Sequence, residues 1–331
     1  MEYNYKIDSV KFYCAVAVVL IHLTVFIFVS GSANIKNFYI YRYYFDIAVP
    51  FFFAASGYFI AIKNDIFYIQ KHIRKLLTQY FAFSIFYLLI KCILIFMDRI
   101  YLNKPFLENI ALLIQNITIE NILNGTFGSF HLWFFPSLIM GSVLLLLSLK
   151  LKLNPSHMLL ISFLLYAADI IDLLNIDKIN YNNGTTQAFL CLSIGYYLAK
   201  ISVNIHNSLL LFIISMITYS FGTIYFNNSI YRIVLILATF FLLFYCKNSH
   251  SRKNITTKLG KHSLDIYIMH VVIYELFYRI LSYIGITNYN DSWWKIIIAA
   301  IICIILSIIT FKPINYIIQQ IISKISKMVM M

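Results

Sequence analysis

The chain has 331 residues, of which 61% are hydrophobic and 12% charged, and its formal net charge is +13. Soluble domains are about 25% charged and about 45–50% apolar, so this composition excludes an ordinary soluble enzyme and indicates an integral membrane protein. The net charge does not indicate a nucleic-acid partner, because the basic residues lie between apolar segments and form no basic domain. The five cysteines all lie in apolar runs without CxxC spacing, which is typical of packing residues and predicts neither disulfides nor a metal site.

Apolar stretches of about 20 residues are long enough to cross a bilayer as helices. The sequence contains ten of them, at 8–30, 40–62, 77–97, 129–149, 156–173, 185–203, 207–226, 229–246, 262–285 and 293–317. The first is too long for a signal-peptide core, so we expect it to remain as a span. We therefore predict an all-α, polytopic transmembrane helical bundle of about ten spans, forming one domain over residues 1–331.

The distribution of basic residues predicts the orientation of the bundle. An even number of spans places both termini on one side of the membrane, and the positive-inside rule assigns that side. With both termini cytoplasmic, well over half of the 26 Lys and Arg residues fall in inner segments. We expect a multi-pass protein of the cell membrane, with the bacterial cytoplasmic membrane favoured. The longest segment between spans, roughly 98–128, then lies outside, and its amphipathic part at 106–122 is expected to lie on the outer leaflet or to cap a cavity.

Lys11 and His22 mark the first span as a functional element. They are eleven positions apart, about three helical turns, so their side chains share one helix face about 16 Å apart along the axis. An ionisable group at the centre of a bilayer is costly and by default faces a protein interior or a wet cavity. We expect His22 to carry out proton chemistry at depth and Lys11 to hold an anionic group near the membrane surface. The alternative for Lys11 alone is a snorkelling side chain.

The second span combines a charge pair, a kink and small residues. Arg42 and Asp46 are four positions apart on one helix face, a spacing that allows an ion pair. Pro50 would bend the helix, and Ser56 with Gly57 offers a small polar surface for close approach of another helix. The alternative is a kinked, tightly packed helix with a structural salt bridge.

Two later spans also carry histidines. We interpret His131 and Trp133, which enter the membrane from outside, as the mouth of a site, although an interfacial Trp is also ordinary in membrane proteins. His270 lies about 12 Å along the span that starts at His262, a depth comparable to that of His22. The alternative for His270 is a hydrogen-bonded core histidine. The sequence contains no HExxH, GxSxG, Gly-rich phosphate loop or paired Cys/His spacing, so we expect no soluble-type hydrolase or ATPase mechanism and no metal.

Taken in order, four segments resemble the acyltransferase-3 family of integral-membrane acyltransferases. The first is a basic residue, ten intervening positions and a histidine, here Lys11 to His22, and the others are Pro50–Tyr58, His131–Phe135 and Ser263–His270. The set extends over essentially the whole chain. The family usually has Arg at the first position, and a lysine offers phosphate a point charge instead of a bidentate fork. The second and third segments are also similar to the membrane half of vancomycin-resistance serine racemases.

The resemblance implies O-acyl transfer, with O-acetylation favoured, from cytoplasmic acyl-CoA to a hydroxyl of a cell-envelope glycan at the outer face. Lys11, Lys71, Arg74 and Lys75 would give a basic inner mouth for the phosphates of acyl-CoA. His22 would act as a general base or as a transient acyl carrier. The full set of expected site residues is His22, His131 and Ser56 for catalysis, Lys11, Lys71, Arg74 and Lys75 for the donor, and Trp133, Arg42, Asp46, Tyr267 and His270 for the acceptor.

The expected partners are membrane lipid and an envelope glycan or another hydroxyl acceptor. No fused extracytoplasmic domain is recognised, which leaves a separate extracytoplasmic partner protein open. The alternative function is a membrane transporter or exporter, either of an amino acid such as serine, by analogy with the racemase membrane half, or of a glycan. The five prolines are not arranged in matching halves, which argues against a secondary transporter built from inverted repeats.

Overall fold

The computed structural model describes residues 4–29, 42–173, 184–202, 205–226, 229–249, 252–285 and 293–329. Within these ranges the regular elements are all helices. They are α1 (Tyr5–Val29), α2 (Ala48–Lys63), α3 (Ile66–Leu102), α4 (Phe106–Gln115), α5 (Ile119–Asn124), α6 (Phe134–Lys150), α7 (Pro155–Ile170), α8 (Gly184–Lys200), α9 (Ser208–Phe226), α10 (Tyr231–Asn248), α11 (Ile255–Gly260), α12 (Ser263–Tyr283) and α13 (Trp293–Val329). Short 3₁₀ turns at Arg42–Phe45 and Phe130–Trp133 precede α2 and α6.

The predicted polytopic helical bundle is confirmed. Each of the ten predicted spans corresponds to one helix, namely α1, α2, α3, α6, α7, α8, α9, α10, α12 and α13. Six of these segments are long and apolar enough to cross a membrane by length and composition alone: α3, α9, α10, most of α13, and α2 and α6 with their preceding turns. The number of crossings and the side of each terminus stay predictions. Residues 30, 40–41 and 203 of the predicted spans lie outside the described residues.

Two helices are longer than the sequence predicts. α3 begins at Ile66 and not near 77, and α13 continues to Val329 and not to 317. Each has 37 residues, which at 1.5 Å per residue is about 55 Å and exceeds the roughly 30 Å hydrocarbon core of a bilayer. The basic first turns of α3 lower the hydropathy without lowering helix propensity, so hydropathy alone missed the true start. The side chain of Asp65 caps that start by accepting from the Phe67 amide.

Close backbone contact joins α2 and α8. A Cβ atom added to Gly195 would lie 1.9 Å from the Ala54 carbonyl oxygen, and one added to Gly57 would lie 2.1 Å from that of Leu192. Glycine is therefore required on both sides of the crossing. Gly57 thus lies where the sequence predicts a close helix approach. Next to it, the Ser56 hydroxyl donates to the Phe52 carbonyl oxygen at 2.9 Å.

The start of α1 and the end of α13 lie at the same end of the bundle. Gly260, the last residue of α11, packs so closely on Asp8 that an added Cβ would be 1.9 Å from its carbonyl oxygen. The following residue, Lys261, lines one cavity together with Asn315 and Gln319 of α13. This arrangement agrees with an even number of crossings. We call this the inner end, following the predicted orientation, and the opposite end the outer end.

Candidate functional site

Two cavities meet inside the bundle. The outer cavity, about 380 Å³, is lined by Val18, Ile21, His22, Arg42, Asp46, Val49, Pro50, Phe130, His131, Trp133, Phe134, Gln187, Tyr219, Arg232, Leu235 and Tyr267. The inner cavity, about 210 Å³, is lined by Lys11, Phe52, Ala55, Ser56, Phe59, His72, Leu76, Phe134, Leu138, Lys261, Ser263, Leu264 and Tyr267. Phe134 and Tyr267 line both, and their ring centroids are 5.0 Å apart. These two rings form the partition between the cavities.

Three histidines from separate elements cluster beside this partition. The ring centroids of His22 in α1 and His270 in α12 are 5.0 Å apart, and His131 lies 5.2 Å from His270 and 6.2 Å from His22. His22 and His131 line the outer cavity, while His270 is buried behind them. The sequence placed all three in or near the membrane, and the packing of α1 against α12 brings them together.

Within the described part of the chain, each histidine of the cluster has one buried ring nitrogen without a hydrogen-bond partner. His270 Nδ1 lies 3.1 Å from the Ile266 carbonyl oxygen and 2.8 Å from that of Tyr267. Carbonyls only accept, so Nδ1 carries the proton and Nε2 of the neutral ring keeps a lone pair. His131 Nδ1 lies 2.9 Å from the Ser129 hydroxyl. Among the described residues, His22 Nδ1, His131 Nε2 and His270 Nε2 are buried without a hydrogen-bond partner. Such buried, unpartnered nitrogens are able to donate or accept a proton, according to the tautomer of each ring.

The hydroxyls of two expected site residues, Ser56 and Tyr267, already donate hydrogen bonds to backbone carbonyls. Tyr267 donates its hydroxyl proton to the His131 backbone carbonyl, and Ser56 donates its own to Phe52. Each hydroxyl has a single proton, so either side chain would have to give up this bond to stabilise an oxyanion. In the described geometry, Tyr267 positions the turn that carries His131.

A polar group of residues lies in the outer cavity beyond the histidines. Asp46 accepts a hydrogen bond of 2.7 Å from the Tyr219 hydroxyl, and Arg42 and Arg232 both interact electrostatically with its carboxylate. The predicted acceptor residues Arg42, Asp46 and Trp133 therefore share this cavity. Sequence reasoning missed Gln187, Tyr219 and Arg232, whose polar side chains are not distinctive in apolar helices rich in Tyr and Asn.

Basic residues lie at the inner cavity. Lys11 Nζ lies 3.1 Å from Asp8 Oδ1, and the lysine side chain is 23% exposed while Asp8 is buried. Lys261 lines both this cavity and a neighbouring polar groove formed by Lys75, Thr78, Gln79, Lys261, Leu264, Asp265, Phe311, Asn315 and Gln319. Lys71 and Arg74 are exposed on α3 and line neither space. Sequence reasoning missed Lys261, although it stands just before the fourth motif.

An ion cluster fastens the outer ends of α3 and α12. Asp98, which is 6% exposed, pairs with Arg279, accepts from Lys104 Nζ at 3.2 Å and accepts from the Tyr283 hydroxyl at 2.7 Å. Arg279 of α12 therefore forms its ion pair with a residue of α3. Within the described ranges, no group of three or more His, Cys, Asp and Glu residues is placed to hold a metal ion.

Removing the Asp98 carboxylate should destabilise the bundle without changing any contact of the three clustered histidines. Asp98→Ala removes a buried carboxylate that pairs with the half-buried Arg279, and we expect a loss of about 2–3 kcal/mol in the free energy of unfolding, since a hydrogen bond to a charged group contributes about 1.5–3 kcal/mol. Thermal unfolding of the purified protein in detergent measures this loss, and Glu108→Ala on the exposed α4 should leave the midpoint unchanged. Equal midpoints for Asp98→Ala and wild type would show that the cluster contributes nothing.

The fold and the site define a polytopic membrane protein with a buried base cluster between two cavities at opposite ends of the bundle. Residues 4–312 match the Acyl_transf_3 model, described as an acyltransferase domain. Because this match covers nearly the whole chain, the chain belongs to the acyltransferase-3 family, and the expected resemblance to that family is confirmed.

Curated relatives carry racemase names. The chain is 30% identical over 146 residues to an amino-acid racemase of Enterococcus faecalis, which is 44% of this chain and 19% of the relative. It is also 30% identical over 149 residues to a serine/alanine racemase of Enterococcus gallinarum, which is 43% of this chain and 19% of the relative. The matches span about a fifth of the length of these relatives, in agreement with the expected similarity to racemase membrane halves. No solved structure matches the chain.

Proposed function

We propose that the chain is a membrane O-acyltransferase that moves an acyl group, most simply acetyl, from cytoplasmic acyl-CoA to a hydroxyl of a cell-envelope glycan. The observation that supports this most directly is the meeting of two cavities at Phe134 and Tyr267, beside His22 and His131. Donor and acceptor can approach from opposite ends, so that the thioester and the hydroxyl meet at the imidazoles.

The inner end has the chemistry that an acyl-CoA requires. Lys11, Lys75 and Lys261 supply cations for the phosphates of CoA. Phe52 and Phe59 give the inner cavity apolar walls for the acyl-bearing arm. Lys71 and Arg74, exposed on α3, would attract the anionic donor from a distance without binding it directly.

His22 is the general base of the proposed reaction. One of its ring nitrogens takes the proton of the acceptor hydroxyl while that oxygen attacks the carbonyl carbon of the thioester. The carbon–sulfur bond then breaks, CoA leaves as a thiolate with the electron pair, and the imidazolium returns the proton to the thiolate. The products are an O-acyl ester and free CoA. The buried rings of His131 and His270 lie beside His22 and keep water away from it. The positive charge that develops on His22 is therefore strongly affected by nearby dipoles.

Lys11→Ala tests the donor site. Loss of a cation at the inner cavity should raise KM for acetyl-CoA about tenfold with little change in kcat, because a charge-assisted contact is worth about 1.5–3 kcal/mol. Lys71→Ala, which removes an exposed lysine that lines neither the inner nor the outer cavity, should change KM less than twofold. Lys11→Arg restores the basic residue usual in the family and should retain wild-type KM. Steady-state CoA release measures all three, and an equal rise in KM for Lys71→Ala would contradict this placement of the donor.

Transport is the second candidate function. It is favoured by the racemase names of the relatives and by the two cavities that meet at Phe134 and Tyr267. In that case the Phe134 and Tyr267 partition would open to pass an amino acid such as serine, or a glycan. Flux of serine into sealed vesicles without acyl-CoA would favour transport. An absolute requirement for acyl-CoA would favour the acyltransferase.

A further inference from the structure

Tyr87 joins α3 to the turn of α12 that carries His270. Its side chain is fully buried, and its hydroxyl donates a hydrogen bond of 2.7 Å to the Ile268 carbonyl oxygen. The same hydroxyl accepts from the Val272 backbone amide at 3.3 Å. Ile268 and Val272 are four positions apart, so their carbonyl and amide are the pair that one regular α-helical hydrogen bond joins. A side chain of another helix therefore takes part in the backbone hydrogen bonding of α12 on both sides of His270.

The ring of Tyr87 contacts a second histidine of the cluster. Its centroid lies 5.0 Å from that of His131, with an angle of 69° between the ring planes. One side chain thus contacts His131 directly and, through its hydroxyl, the turn that carries His270. Tyr87 lines neither the outer nor the inner cavity, so it is not placed to touch the donor or the acceptor.

We propose that Tyr87 is a positioning residue of the acyl-transfer reaction, which holds His131 and His270 in place around His22. This inference rests on the proposed function. The ring centroids of His131 and His270 lie 6.2 Å and 5.0 Å from that of His22, so a shift of either ring changes the surroundings of the general base. The His270 carbonyl oxygen has a second anchor, the Cys303 thiol of α13 at 3.2 Å.

Loss of the Tyr87 hydroxyl should change this turn without unfolding the bundle. In Tyr87→Phe, the Ile268 carbonyl and the Val272 amide can bond to each other as in a regular helix, so neither buried group has to lose its partner. The ring that packs beside His131 is kept. The change in the turn moves His270 relative to His22, and a displacement of about 1 Å at a reaction site lowers a rate by up to about 10²-fold.

Steady-state kinetics and histidine NMR of the full chain in nanodiscs test the proposal. We expect kcat for acetyl transfer to envelope glycan to fall about tenfold or more in Tyr87→Phe. KM for acetyl-CoA should stay within about twofold of the wild-type value, because Tyr87 does not line the inner cavity. In ¹³C spectra of histidine-labelled protein without substrates, the ring signals of His131 and His270 should shift, whereas that of the exposed His157 should not. His131→Gln and His270→Gln assign the two signals.

Tyr80→Phe is the matched control. Tyr80 is buried in the same helix and also donates its hydroxyl to a backbone carbonyl, that of Ile122, but its ring packs on Phe81, Phe127 and Phe135. It lines neither of the two cavities, so Tyr80→Phe should keep the wild-type kcat and the wild-type histidine signals.

Wild-type kcat in Tyr87→Phe would overturn the proposal, as would histidine signals that do not shift or an equal loss of kcat in Tyr80→Phe. A Tyr87→Phe protein that does not fold would also overturn it, because the hydroxyl would then be required for the fold itself. A folded wild-type chain that transfers no acetyl group contradicts the proposed function, and the spectra alone then decide whether Tyr87 positions the two rings.

Discussion

Replacing His22 with alanine is expected to abolish acyl transfer, since kcat should fall by about 10²–10⁴-fold. The protein should still insert into the membrane and purify as the wild type does. General-base catalysis contributes about this factor. The ring lies within 5.0 Å of His270 and 6.2 Å of His131, centroid to centroid, and lines the cavity assigned to the acceptor. Mass spectrometry of the acylated glycan measures the loss.

A histidine elsewhere in the chain controls for the substitution itself. His157 is exposed in the first turn of α7, so His157→Ala should keep wild-type transfer. His22→Gln preserves much of the side-chain volume but has no titratable nitrogen, and it should be as inactive as His22→Ala. Wild-type transfer by His22→Gln would rule out a proton-accepting role for this residue.

The second large effect is expected at Gly195, where any side chain should prevent the native crossing of α2 and α8. An added Cβ would lie 1.9 Å from the Ala54 carbonyl oxygen, which belongs to helix backbone and cannot rotate away. Separating the helices would displace Pro50 and Phe52, which line the two cavities, together with the rest of α2. We expect Gly195→Ala to cost on the order of 3 kcal/mol and Gly195→Leu to leave no folded protein.

The matched control is Gly285, which follows α12. A Cβ there would meet no atom within 4 Å, so alanine adds only the strain of the positive φ of +80°, roughly 1–2 kcal/mol. Gly285→Ala should therefore lower the thermal midpoint by less than Gly195→Ala. Size-exclusion profiles and thermal unfolding in detergent compare the two variants. A monodisperse Gly195→Leu protein with a wild-type midpoint would contradict the close helix crossing.

Hydropathy was enough to predict a helical bundle, because crossing a bilayer requires apolar stretches of about 20 residues. The helix period was enough to place Lys11 and His22 on one face, and the structure puts them at the inner and outer cavities respectively. The edges of α3 and α13 escaped prediction because helices continue beyond the membrane wherever propensity allows. Charged helical residues such as Arg74 lower the average hydropathy, so a prediction from hydropathy assigns them to a loop.

The convergence of side chains could not be predicted from local sequence. Tyr219 and Arg232 reach the outer cavity from α9 and α10, far along the chain from His22. Their arrival depends on how helices pack, which periodicity within one helix does not specify. Lys261 is the exception, since a basic residue beside the fourth motif is a local signal.

Release of free CoA from acetyl-CoA by the purified chain in nanodiscs is the most direct test of the proposed function. We predict release that rises when envelope glycan is added and that disappears in His22→Ala. The protein should also bind CoA in the absence of glycan. No release and no CoA binding by folded protein, together with serine flux in sealed vesicles lacking acyl-CoA, would contradict the acyltransferase account and identify a transporter.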